Sequence, residues 1–128
     1  MSGTAELAVL HDRRILVVED EYMLADEVAE ILGNAGVEVL GPAANIESAL
    51  HLVAEHDWID GALLDVNLQG EMVWPLIDAL MVRNVPVVLV TGYDADVIPR
   101  PYADLPRHEK PATARDFVQT LARMMTPS

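Results

Sequence analysis

The chain has 128 residues, 52% of them hydrophobic, and contains no cysteine. That is one ordinary domain with enough apolar material for a core, and it excludes a disordered chain, disulfides and thiolate zinc sites. A formal net charge of -13 repels nucleic-acid backbones and anionic lipid, so no nucleic-acid partner and no membrane partner is expected.

No apolar run approaches the roughly 20 residues of a membrane span. The first ten residues have no basic start of the kind that opens a signal peptide, and a cytoplasmic protein is the expectation. Residues 1–13 read as an N-terminal extension, with 1–12 a flexible lead-in that can hold a short helical piece, and 14–128 as the domain. From Arg14 the pattern alternates. Residues 14–18 form a strand, apolar from Ile15 to Val18. Residues 21–35 form a helix with Leu24, Val28, Ile31, Leu32 and Ala35 on one stripe. Asp20 occupies the N-cap position and Gly36 the C-terminal stop. A second strand over 37–40 is expected to stop at Gly41-Pro42. Asn45 can cap a helix to about residue 56 that buries Ile46, Ala49, Leu50 and Val53.

Residues 61–64 form a third strand, followed by a loop through Asn67 and Gly70. A helix over 74–83 opens with Pro75 in its first turn. The fourth strand covers 85–90. Residues 94–106 should hold a helix, but Pro99, Pro101 and Pro106 leave it short or irregular. A short strand over 107–109 and a helix over 113–125, with Phe117, Leu121 and Met124 on one face, complete the chain. Strands alternating with helices imply an α/β doubly wound parallel sheet of five strands with right-handed crossovers.

Four of these strands end in polar groups. They are Glu19-Asp20 after the first, Asp65 after the third, Thr91 after the fourth, and Lys110 after the fifth, the only lysine in the chain. Ligands gather at the carboxyl ends of strands in open α/β sheets. Taken singly, each has a plainer reading: a helix start, a turn cap, a turn residue and a solvated lysine. Together they place three acids, a hydroxyl and an ammonium at one sheet edge, a set suited to a divalent cation and a phosphoryl group.

In this order the residues resemble the receiver domain of two-component response regulators, over 14–125. The run Val90-Thr91-Gly92-Tyr93 is similar to the core of the FAT-GUY receivers, and Gly41-Pro42-Ala43 fits that subgroup too. The resemblance implies a flavodoxin-like receiver fold in a single-domain response regulator. Asp65 would be the phosphoacceptor, charged by a histidine kinase or a histidine phosphotransfer protein. Mg²⁺ would be bound by Glu19, Asp20, Asp65 and the backbone carbonyl of Asn67. Thr91 and Lys110 would contact the phosphoryl oxygens, and Lys110-Pro111 would be a cis peptide. The protein would be a phosphoacceptor switch and not an enzyme, its own dephosphorylation aside. It would signal by protein contact or by phosphorelay to an unknown downstream protein. Arg107 stands where most receivers carry an aromatic switch, and Tyr93 is the candidate to replace it.

The chemistry needs these types. A carboxylate is a competent nucleophile for phosphorus, but three crowded carboxylates repel an incoming anion until a cation is present. Two other readings compete. An aspartate-nucleophile phosphatase of the haloacid-dehalogenase type needs a second acid two residues after Asp65, where Asn67 stands. A pseudo-receiver would bind partners without ever being phosphorylated.

Overall fold

The computed structural model describes residues 6–92 and 98–126. Five strands are long or central enough to form the main sheet: β1 Arg14–Val18, β2 Glu38–Ala43, β3 Gly61–Asp65, β6 Val87–Thr91 and β7 Arg107–Glu109. They are parallel, in the order β2-β1-β3-β6-β7. A small hairpin supplies the other two, β4 Asn67–Leu68 and β5 Glu71–Met72. Among the described residues, four helices flank the sheet: α1 Tyr22–Asn34, α2 Ile46–Glu55, α3 Trp74–Val82 and α4 Ala114–Met125. The expected doubly wound, flavodoxin-like architecture is present.

The central strands read as unbroken apolar runs because both sheet faces are covered. Along β1, Ile15 and Val17 face one core with α1 and α4, while Leu16 and Val18 face the other with α2 and α3. In β3, Leu63 joins the first core and Ala62 and Leu64 the second. The three-residue strand β7 forms one edge of the sheet, and its Arg107 and Glu109 are exposed.

Several local expectations are corrected. The lead-in has its short helical piece, but over its described part it is built into the domain rather than flexible. Residues 8–10 form a 3₁₀ turn, Leu7 and Leu10 are buried beside Val28, Leu32 and Phe117, and Arg123 on α4 donates to Glu6 at 2.7 Å. Strand β2 does not stop at Gly41-Pro42. It runs to Ala43 across a cis Gly41–Pro42 bond, with a register shift against β1. Gly41 has φ +98, and a Cβ there would lie 2.8 Å from the Val17 carbonyl oxygen and 2.6 Å from the Ala43 nitrogen. Only glycine allows that close approach.

Asp20 is not the cap of α1. The N-cap is Glu21, still extended, and its N–H donates 2.9 Å to the Glu19 side chain. Asn45 does cap α2, accepting from Ser48 N at 2.8 Å, and Pro75 does sit in the first turn of α3. Thr113 caps α4 through a capping box with Asp116. Leu50 and Met124 are exposed, each just off the buried stripe of its helix. The expected loop after β3 is the tight β4–β5 hairpin, with Gln69 and Gly70 at positive φ in its turn.

Of the irregular stretch expected over 94–106, residues 94–97 lie outside the described residues, and residues 98–106 form a strap with a 3₁₀ turn over Arg100–Tyr102 followed by further turn and bend. Two contacts fasten it to α3. Tyr102 stacks on Trp74 with ring centroids 5.0 Å apart, and its hydroxyl donates 2.7 Å to Asp78.

Candidate functional site

The strand ends converge as the topology requires. β1 delivers Glu19 and Asp20, β3 delivers Asp65, and β6 delivers Thr91, because β1, β3 and β6 are adjacent and in register. β7 adds Lys110, whose backbone N–H donates 2.7 Å to the Thr91 carbonyl. The Lys110–Pro111 peptide is cis. Asp20, Asp65, Thr91 and Lys110 line an open cleft of about 340 Å³ with Glu21, Asn67 and Gly92.

Glu19, Asp20 and Asp65 each offer a carboxylate oxygen, and the three atoms lie within 4.8 Å of one another. Glu19 and Asp65 are buried. The Lys110 Nζ lies 3.1 Å from Asp65 Oδ2 and 3.5 Å from Glu19 Oε2, and it is ion-paired to Glu21 Oε2. Asp65 Oδ1 also accepts from the Asn67 N–H at 3.1 Å, which turns the chain into the hairpin.

Electrostatics reflect the crowding. Burial pushes the Glu19 carboxyl up from 4.5 to about 8; the nearby Asp65 adds to the rise, while the Glu21 N–H and Lys110 oppose it. Lys110 behaves oppositely. Burial would lower it, but hydrogen bonds to Glu21 and Asp65 and the charges of Asp65 and Glu19 outweigh that and hold it above the ordinary lysine value. Four acidic side chains, Glu19, Asp20, Glu21 and Asp65, surround one ammonium, an excess of acid over base. An all-oxygen donor set of this charge matches a hard divalent cation, and Mg²⁺ in particular keeps several waters while using one or two carboxylates.

Other expected residues lie less centrally. Thr91 is buried, and its hydroxyl is directed to the His108 carbonyl at 3.5 Å rather than to Asp65. Arg107 is exposed on β7, paired with Leu89, and does not line the cleft. Tyr93 lies outside the described residues. Glu21 reads in the sequence only as part of a helix start, yet it touches Lys110; the third acid of Glu19-Asp20-Glu21 is the available signal. Gln69 also lines the cleft, placed there by its positive φ in the hairpin turn.

Comparison with known proteins agrees with this geometry. A family model described as the response regulator receiver domain matches residues 15–103. The transcriptional regulatory protein MalR of Bacillus subtilis (strain 168) is 33% identical over 88 residues, which span 66% of this chain but only 37% of MalR. The solution structure of SdrG from Sphingomonas melonis Fr1 superposes with a TM-score of 0.75 at 33% identity, covering 89% of this chain and 96% of SdrG. The response regulator PhyR from Brucella abortus shares the fold, with a TM-score of 0.72 at 21% identity over 94% of this chain and 50% of PhyR. With the sheet order, the acidic strand ends and the family match all in agreement, the chain belongs to the response regulator receiver domain family.

Proposed function

We propose that Asp65 accepts a phosphoryl group from a histidine kinase or histidine phosphotransfer protein in the presence of Mg²⁺. The chain would serve as a cytoplasmic response-regulator receiver of the FAT-GUY type. One observation carries the reading: the lone ammonium of Lys110 stands 3.1 Å from Asp65 Oδ2, beside three carboxylate oxygens within 4.8 Å of one another. Similarity to SdrG, which has also been described in a BeF₃-activated conformation, supports it.

Each residue has a task in this reading. Glu19, Asp20, Asp65 and the Asn67 carbonyl hold Mg²⁺, which when bound offsets the negative charge of both the cleft and the donor. Asp65 supplies the attacking oxygen, and positioning and charge stabilisation do most of the remaining work. Lys110 meets the phosphoryl oxygens as a point charge. Thr91 turns from the His108 carbonyl to the phosphoryl group, which couples the β6 end to the new bond. The signal then leaves by protein contact or by relay to a downstream protein.

The test is incubation with Mg²⁺ and phosphoramidate followed by intact-mass measurement. One phosphoryl mass is expected on the wild type, none on Asp65→Asn, and none in EDTA. A wild type that gains no mass, or a gain kept by Asp65→Asn, favours a protein-binding module that is never phosphorylated. Sustained turnover of small phosphoesters would favour the phosphatase reading.

A further inference from the structure

The ammonium that the phosphoryl group needs is already engaged. Lys110 is the only lysine of the chain, and among the described residues lining the cleft it is the only cation. Its Nζ is shared by Asp65, Glu19 and Glu21. Two of these carboxylates are fixed parts of the candidate metal set. Glu21 is different: it is not in that set, and its side chain is 60% exposed against 5% and 6% for Glu19 and Asp65. Its backbone is nevertheless anchored, because the Glu21 N–H donates to Glu19 Oε2. The Glu21 side chain can therefore swing to solvent while its Cα stays at the cleft rim.

We propose that Glu21 is a positioning residue that holds the Lys110 ammonium on the α1 side of the cleft and competes for it with the incoming phosphoryl group. This rests on the reading of Asp65 as phosphoacceptor. In the transfer, an Asp65 oxygen bonds to phosphorus as the donor's bond to phosphorus breaks; with phosphoramidate the P–N bond breaks and ammonia leaves. Lys110 must then exchange Glu21 for phosphoryl oxygens. The Glu21 ion pair is a cost of that exchange, so it slows phosphorylation. Because the pair links the loop after β7 to the start of α1, its release also unfastens those two segments from each other.

Four proteins test this: wild type, Glu21→Gln, Glu21→Asp and Glu30→Gln. Glu21→Asp keeps the charge but shortens the reach. Glu30→Gln removes a like charge from an exposed position further along α1. With Mg²⁺ and phosphoramidate, Glu21→Gln and Glu21→Asp are expected to phosphorylate about two- to fivefold faster than wild type, the range of an exposed ion pair. Glu30→Gln should match wild type. A second readout needs no phosphorylation: acetylation of Lys110 by a neutral active ester, followed by peptide mass. It should be faster in both Glu21 variants than in wild type and Glu30→Gln. If wild type gains no phosphoryl mass, the phosphoacceptor reading fails, while the acetylation rates still decide whether Glu21 restrains Lys110. If phosphorylation proceeds but both Glu21 variants match wild type in rate and acetylation, or if only Glu21→Gln differs, the positioning role is overturned.

Discussion

Replacing Glu19 by glutamine should stabilise the metal-free protein at neutral pH and destroy its response to Mg²⁺. Burial raises the Glu19 carboxyl from 4.5 to about 8. The folded state therefore prefers the protonated form, and the sign follows from linkage. The unfavourable contribution is absent below about pH 4.5, grows as pH rises, and is complete above about pH 8. At about 1.4 kcal/mol per pKa unit, it reaches roughly 3 kcal/mol at pH 7. A glutamine side chain at this position would be neutral throughout and could still accept the Glu21 N–H. For a domain of this size, roughly 3 kcal/mol corresponds to about 10 °C in Tm. The assay is thermal denaturation from pH 5 to 9, in EDTA and in Mg²⁺. In EDTA, wild type and Glu19→Gln should melt within a few degrees of each other near pH 5 and diverge toward pH 8, with the variant higher. Mg²⁺ should raise the wild-type Tm most at high pH and move the variant little. Parallel curves in EDTA, or a variant that melts below wild type at pH 8, would refute the reasoning.

Two further predictions concern the scaffold. Leu10 is fully buried in the core shared by α1 and α4, so Leu10→Ala should cost about 2–5 kcal/mol in chemical denaturation; a neutral result would show that the N-terminal turn does not belong to the domain. Tyr102→Phe keeps the stack on Trp74 and removes the bond to exposed Asp78, so global stability should fall by about 0.5–1.5 kcal/mol. Its larger effect should be local, as faster amide exchange at Tyr102, Ala103 and Leu105, whose N–H groups bond within the strap.

The sheet and the cleft are legible in the sequence because their signals are local. A parallel strand buried on both faces declares itself as a continuous apolar run, and the polar group that ends the run is the one delivered to the sheet edge. The Asn45 cap is equally readable, since a cap acts within three residues. Strand β2 misleads because Gly41-Pro42 is ordinary punctuation for a strand end, whereas pairing with β1 carries the chain through it. Leu7 and Leu10 look like part of a loose leader because their burial comes from helices α1 and α4, remote in sequence. Leu50 and Met124 show that the width of a helical stripe is set by its partner surface, not by the helix. Glu21 lies in plain view beside the acidic pair, but the ammonium it touches arrives from the far end of the chain.

The border strand β7 has a consequence for how the protein behaves at high concentration. Three residues give a neighbouring molecule little backbone to zip onto, and Arg107 and Glu109 bring charge to that border. Short, charged borders oppose edge-to-edge growth of a sheet. Together with a net charge of -13, this favours a colloid of separate particles. Replacing Arg107 with an aromatic residue would therefore take a cation from this rim and add apolar surface to a border that its charge now guards against self-assembly.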